Sequence, residues 1–112
     1  MDCLFCKIAN GEMSTTFRRQ DGDLVAFDDI HPKAPTHVLV VPKRHIESVN
    51  ALTPADASLV GQLVLAARAI AAETGIAERG YKLVVNCGKE GGQVVPHLHL
   101  HLLGGKPLRG NV

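Results

Sequence analysis

His97-Leu98-His99-Leu100-His101-Leu102-Leu103 is the stretch on which the reading of the chain turns. Side chains of an extended strand alternate between its two faces. Leu98, Leu100 and Leu102 then share one face, suited to packing against a helix, and His97, His99 and His101 share the other. Successive histidines stand about 7 Å apart along such a strand. A single histidine in a core strand is ordinarily a hydrogen-bonded structural residue. Three in strict alternation among leucines point to chemistry.

On the N-terminal side of this strand, Gly88 to Gly92 is a glycine-rich turn, and Tyr81 to Cys87 reads as the strand that precedes it. Gly104-Gly105 ends the histidine strand. Further back, Thr53-Pro54-Ala55-Asp56 carries helix-start residues, with Thr53 as N-cap and Pro54 in the first helical position. Leu59, Val60, Leu63, Val64, Ala67, Ile70 and Ala71 follow at three- and four-residue spacing, which predicts one long helix with a buried face, ended by Gly75. Thr36 to Val41 is a β-branched run closed by Pro42. Thr15 to Arg19 and Leu24 to Phe27, around the turn Gln20-Asp21-Gly22-Asp23, predict a hairpin. Asp28 to Pro35 is a loop held by two prolines, and Cys3 to Ala9 is one short helix or turn closed by Asn10-Gly11. The predicted architecture is a single α+β domain over residues 1–112: a five-stranded, mostly antiparallel sheet with one long helix and one short N-terminal helix.

Composition narrows the function classes. Twelve Lys and Arg against 11 Asp and Glu leave a net charge of +1, with no basic run, so nucleic acid is not an expected partner. No stretch reads as about 20 uninterrupted apolar residues, and Met1 to Lys7 lacks a basic region followed by an apolar one; the expectation is a cytoplasmic protein with no membrane association. In that compartment the three cysteines are thiols or metal ligands rather than disulfides.

The alternating histidines admit two chemical readings. Histidines two apart on a strand can share a zinc ion, whose bound water would then be the nucleophile of a hydrolase. Three such positions span about 14 Å, too far for one ion without a bend. The other reading is nucleophilic catalysis. Neutral imidazole is abundant at neutral pH, attacks phosphorus, and yields a labile phosphohistidine that splits one displacement into two. Such a ring needs one nitrogen free and the other tied by a hydrogen bond. Gly91-Gly92-Gln93 lies directly before the histidines, where backbone N–H groups can approach an anion, and Asn86 ends the adjacent strand.

These residues resemble the histidine triad family, whose signature His-x-His-x-His followed by two apolar residues is complete at positions 97–103. Asp28-Asp29-Ile30, Ala34-Pro35-Thr36-His37, Val41 to Ile46, Val85-Asn86 and Gly91-Gly92-Gln93 are similar to further blocks of its Hint branch. The resemblance implies a nucleotidyl hydrolase or transferase acting on purine nucleoside phosphoramidates of the AMP or GMP type. His99 resembles the nucleophile, His101 and His37 the residues that orient it, and His97 a residue near the leaving group. Asp29 resembles a ribose-binding carboxylate. Ile30, Phe5, Ile8 and Phe27 match base contacts, and Asn86, Gly92, Gln93 and His101 phosphate-side contacts. Read without the family, Asp29 would cap its loop, and the four apolar residues would be core. Position 94 is Val where many relatives carry Ser, so Val94 offers a backbone N–H but no hydroxyl to the leaving group. The C-terminal segment after Gly105 is short and lacks Trp. The resemblance also implies a homodimer with a sheet continuing across both subunits. A nucleotide-binding scaffold with little turnover is the competing function.

Cys3-Leu4-Phe5-Cys6 is a Cys-x-x-Cys pair, and His45 and His97 are candidates to complete a closed tetrahedral zinc site. Some histidine triad proteins hold zinc with residues of this kind. That ion would be structural, tying the N-terminal turn to the sheet and leaving His99 free, with no cofactor needed for catalysis. Without a metal, Cys3 and Cys6 are simple thiols, His45 is solvated, and Cys87 packs in its strand.

Overall fold

The computed structural model describes residues 3–109; residues 1–2 and the end of the short C-terminal segment, 110–112, lie outside the described residues. Short helix α1 (Leu4–Ala9) is followed by β1 (Phe17–Asp21), β2 (Leu24–Asp28), β3 (Thr36–Pro42), long helix α2 (Ala57–Glu73), β4 (Tyr81–Val84) and β5 (Leu100–Gly104). The five strands form one sheet in the order β1-β2-β3-β5-β4, with every neighbouring pair antiparallel. This is the α+β architecture the sequence predicts.

Helix α2 covers one face of the sheet and α1 the other. Leu63, Ala66, Ala67, Ile70 and Ala71 of α2 pack on Ala26, Val38, Val40, Leu98, Leu100 and Leu102. On the opposite face Phe5, Ile8 and Ala9 pack on Val25, Phe27, Leu39 and Val41. The middle strands β2 and β3 are therefore buried on both sides, which accounts for their continuous apolar sequence. By length and composition Pro54–Glu73 is apolar enough to cross a membrane; here its small-residue face lies on the sheet as a core helix.

Several boundaries differ from those the sequence predicts. Thr53 and Asp56 form a reciprocal capping box, but Pro54–Asp56 is a 3₁₀ turn and α2 begins after it, at Ala57. Val64 points to solvent and Leu59 and Val60 are only partly covered, because Ala66 and Ala67 bring the helix down on a neighbouring face. The first strand begins at Phe17 and carries a bulge between Phe17 and Arg19, the hairpin turn narrows to Gly22-Asp23, and β4 stops at Val84. Most consequential, the histidine strand is paired only from Leu100 onward. The chain enters it past Pro96, and there the His97 N–H bonds to the Val95 carbonyl and the Leu98 N–H to the Ile46 carbonyl, so neither joins the ladder of the sheet. The alternation of faces nevertheless persists through this unpaired approach.

Candidate active site and metal cluster

His99 is almost fully buried, and its ring is oriented by the backbone behind it. Its Nδ1–H donates to the carbonyl oxygen of His97 at 2.7 Å. The other nitrogen, Nε2, therefore keeps its lone pair. Phe5 packs against this ring in a T-shaped arrangement, with centroids 5.1 Å apart, and the His101 ring stands 4.9 Å away.

His37 and His101 meet across the β3–β5 ladder. Leu39 pairs with His101, and His37, two residues before Leu39, shares its face. The Lys33 N–H donates to His37 Nδ1 at 3.1 Å, which puts the His37 proton on Nε2. His37 Nε2–H then donates to His101 Nδ1 at 3.0 Å, which puts the His101 proton on its own Nε2. One backbone N–H thus determines two tautomers in series. Burial holds both rings below their ordinary value, His101 down to about 4, with the neighbouring His99 and His37 adding to its depression. Both are neutral at pH 7, as this chain of single donors and acceptors requires.

Asp29 Oδ2 lies 3.4 Å from His37 Nε2, while its Oδ1 accepts the His31 N–H at 2.8 Å. The donor atoms of Asp29, His37 and His101 fall within 4.8 Å of one another. An ion bound to His37 Nε2 would have to displace its proton while Nδ1 still accepted the Lys33 N–H, leaving an imidazolate. The hydrogen bonds favour a proton-carrying chain at this cluster.

The second cluster has the opposite character. His97 is fully buried; its Nε2–H donates to the Pro42 carbonyl at 2.8 Å, so Nδ1 presents a lone pair. That atom lies 3.2 Å from Cys3 Sγ and 3.5 Å from Cys6 Sγ, and Cys6 Sγ lies 3.3 Å from His45 Nδ1. A tetrahedral zinc with bonds of about 2.3 Å to sulfur and 2.0–2.1 Å to nitrogen holds its ligands roughly 3.5 Å apart. The four donors fit that geometry. Burial, followed by the adjacent Cys3, raises the Cys6 thiol, and a dication would reverse that preference.

His97, His99 and His101 do not converge on one point. His97 faces the cysteines, and His99 belongs to neither cluster of metal-ligating donors among the described residues. Both ring nitrogens of His97 are engaged, so its ring is not free to meet a leaving group; its carbonyl serves His99 instead. Phe5, Ile8 and Phe27 are buried core residues beneath the histidines, whereas Ile30 is 85% exposed on the loop after Asp29. Val94 is 88% exposed beside the glycine turn. Asn86 Nδ2–H donates to the Gly91 carbonyl at 2.7 Å. That turn is tight: a Cβ at Gly91 would stand 2.3 Å from the Cys87 carbonyl oxygen, and Gly92 has φ of +82°. The Gln93 side chain is engaged with backbone on both its polar atoms. The orienting roles of the Lys33 N–H and the Pro42 carbonyl escape sequence reading, because any residue type carries those atoms or, for proline, the carbonyl.

An antiparallel sheet carrying buried, backbone-oriented histidines of the pattern His-x-His-x-His defines a histidine triad protein. The HIT domain family matches residues 10–108, and the chain belongs to that family. It is 42% identical to the purine nucleoside phosphoramidase of Escherichia coli over 96% of this chain and 90% of that protein. A HIT family hydrolase from Legionella pneumophila superposes with a TM-score of 0.94 at 45% identity, covering 96% of each chain. A histidine triad protein from Clostridium difficile superposes with a TM-score of 0.95 at 43% identity, covering 100% of this chain and 97% of that one.

Proposed function

We propose that this protein hydrolyses purine nucleoside phosphoramidates through a nucleotidyl-His99 intermediate. The observation that carries this reading is the His99 tautomer: with Nδ1–H held by the His97 carbonyl, Nε2 is the nucleophilic atom. Its lone pair forms a bond to phosphorus as the bond from phosphorus to the amine nitrogen breaks, and the departing amine takes a proton from solvent. The positive charge that builds on the His99 ring is stabilised through Nδ1–H by the His97 carbonyl. His101 Nε2–H is available to a non-bridging phosphoryl oxygen. Water then attacks phosphorus, restores the lone pair of Nε2 and releases the nucleoside monophosphate and a proton. The 42% identity to a purine nucleoside phosphoramidase supports the substrate class. Asp29 and the exposed Ile30 would meet the ribose and the base, and Gly92, Asn86, Val94 and the backbone around Gln93 would flank the phosphate. Phe5, Ile8 and Phe27 would form the floor below.

Cys3, Cys6, His45 and His97 would hold one structural zinc ion, and the chemical step needs no metal. A homodimer would form along β4, an edge strand on which Tyr81 and Leu83, with Val85 just beyond, expose apolar surface. A cytoplasmic location accords with this chemistry. The test is steady-state hydrolysis of an adenosine phosphoramidate by wild type and His99→Ala, with and without a chelator. Chelator-resistant turnover that vanishes in the variant is the expected result; turnover surviving in His99→Ala would sink the assignment. The competing scaffold function draws on Val94, which puts no side-chain donor beside the phosphate. Tight AMP binding with no turnover of any phosphoramidate tried would favour it.

A further inference from the structure

The segment from Val95 to His99 supplies the carbonyl that orients the nucleophile, yet it lies outside the sheet. Something other than a strand ladder must hold it. Gln93 is placed to do so. Its Oε1 accepts the Gly88 N–H at 2.9 Å, and its Nε2–H₂ donates to the Glu47 carbonyl at 2.7 Å and the Val95 carbonyl at 3.0 Å. All three partners are backbone groups of known polarity, so only one orientation of the amide satisfies them. Its backbone N–H is also engaged, donating to the Gly88 carbonyl.

The three anchors lie where the unpaired segment needs them. The Val95 carbonyl that receives Gln93 Nε2 also receives the His97 N–H at 2.8 Å. The Glu47 carbonyl is adjacent to that of Ile46, which receives the Leu98 N–H at 2.6 Å. Gln93 thus joins the glycine turn, the 46–47 segment and the approach to the triad through a single side chain.

We propose that Gln93 is a positioning residue for His99: its amide replaces the missing ladder along Val95–His97 and so sets the carbonyl from which the His99 ring hangs. Gln93 acts through backbone, without touching the reacting atoms. Only the turnover part of the test below rests on the phosphoramidase reading.

Two substitutions in the full chain test it. Gln93→Met keeps the length of the side chain and removes all three bonds. Exchange of the Gly88 amide in the ligand-free protein should then speed up at least about tenfold. The imidazole nitrogen chemical shifts of His99 should move from the pure Nδ1–H tautomer toward a mixture. With an adenosine phosphoramidate, kcat should fall about tenfold or more while KM changes less. Gln93→Glu retains the acceptor for Gly88 and loses both donors, so Gly88 should stay protected while the His99 shifts and kcat follow the Met variant. Wild-type His99 shifts in both variants would overturn the proposal. So would weaker AMP binding with unchanged Gly88 exchange and His99 shifts, which would make Gln93 a direct ligand contact. Altered His99 shifts in variants of a protein whose wild type hydrolyses no phosphoramidate would support the positioning role and remove the phosphoramidase reading instead.

Discussion

His37 Nε2–H donates to His101 Nδ1 at 3.0 Å, and this one bond between two strands decides which nitrogen of His101 carries the proton. Without it, the depressed basicity of His101 would leave a neutral ring with two tautomers of similar energy. With it, the His101 proton is on Nε2, so a donor on His101 stands beside the lone pair of His99, while the lone pair of His97 faces the cysteines.

His37→Ala removes the donor while leaving His99 on the His97 carbonyl. The expected effect is a kcat lower by about 10- to 100-fold with AMP affinity little changed. Steady-state kinetics alongside AMP titration separate the two quantities. An unchanged kcat would mean that His101 needs no orientation.

Stability should depend on pH through the same pair. Burial depresses His37, and His101 reaches about 4, against an ordinary value near 6.5. Below about 6.5 the unfolded chain takes up protons that the folded state refuses. The contribution is therefore complete above that pH and is lost as pH falls from 6.5 through 4. Each such histidine sets a limit of about 1.4 kcal/mol per pH unit in this window. Melting temperatures of wild type and His101→Gln between pH 7 and 4.5 provide the check. The variant should show the shallower decline, and parallel curves would contradict this origin.

The cysteine–histidine cluster should bind one zinc per chain. Elemental analysis should find it in protein prepared under reducing conditions, and Cys6→Ser should lack it. Removing the ion should lower the melting temperature by several degrees, because it would crosslink α1 to the segment after β3 and to the approach to β5. Turnover by the chain that remains folded should persist, since His99 holds no ligand position. Protein that neither carries nor rebinds zinc would leave the cluster as hydrogen-bonded thiols.

Core packing should separate two residues of similar chemistry. Leu102 is fully buried between α2 and its strand neighbours, and Leu102→Ala should cost about 2–5 kcal/mol. Val64, with 43% of its surface exposed, should cost less than about 1 kcal/mol on substitution by Ala. Denaturant titration reads both. Equal losses would contradict the solvent-facing placement of Val64.

Much of this was legible in the one-dimensional pattern. The alternation of Leu98 to Leu102 with His97 to His101 told which residues turn toward the helix and which toward the site, because a strand has a period of two. The Cys3–Cys6 spacing and the histidines at 45 and 97 marked the four donors that the fold brings together. The pattern also separated His97, as a candidate metal ligand, from His99, but it did not reveal that the approach to the histidine strand leaves the sheet. Both His97 and His99 precede the ladder, which begins at Leu100; the His97 ring turns to the cysteines, while the His99 ring is held by the His97 carbonyl and belongs to neither donor cluster among the described residues.

The sequence by itself determined the residue types, the faces they occupy and the family they define, because periodicity and side-chain chemistry are local properties. Only the tertiary structure decided the tautomers. Those depend on the Lys33 N–H and on the His97 and Pro42 carbonyls, backbone groups that leave no trace in residue identity. Their direction is set by the loop before β3, the end of β3 and the unpaired approach to β5.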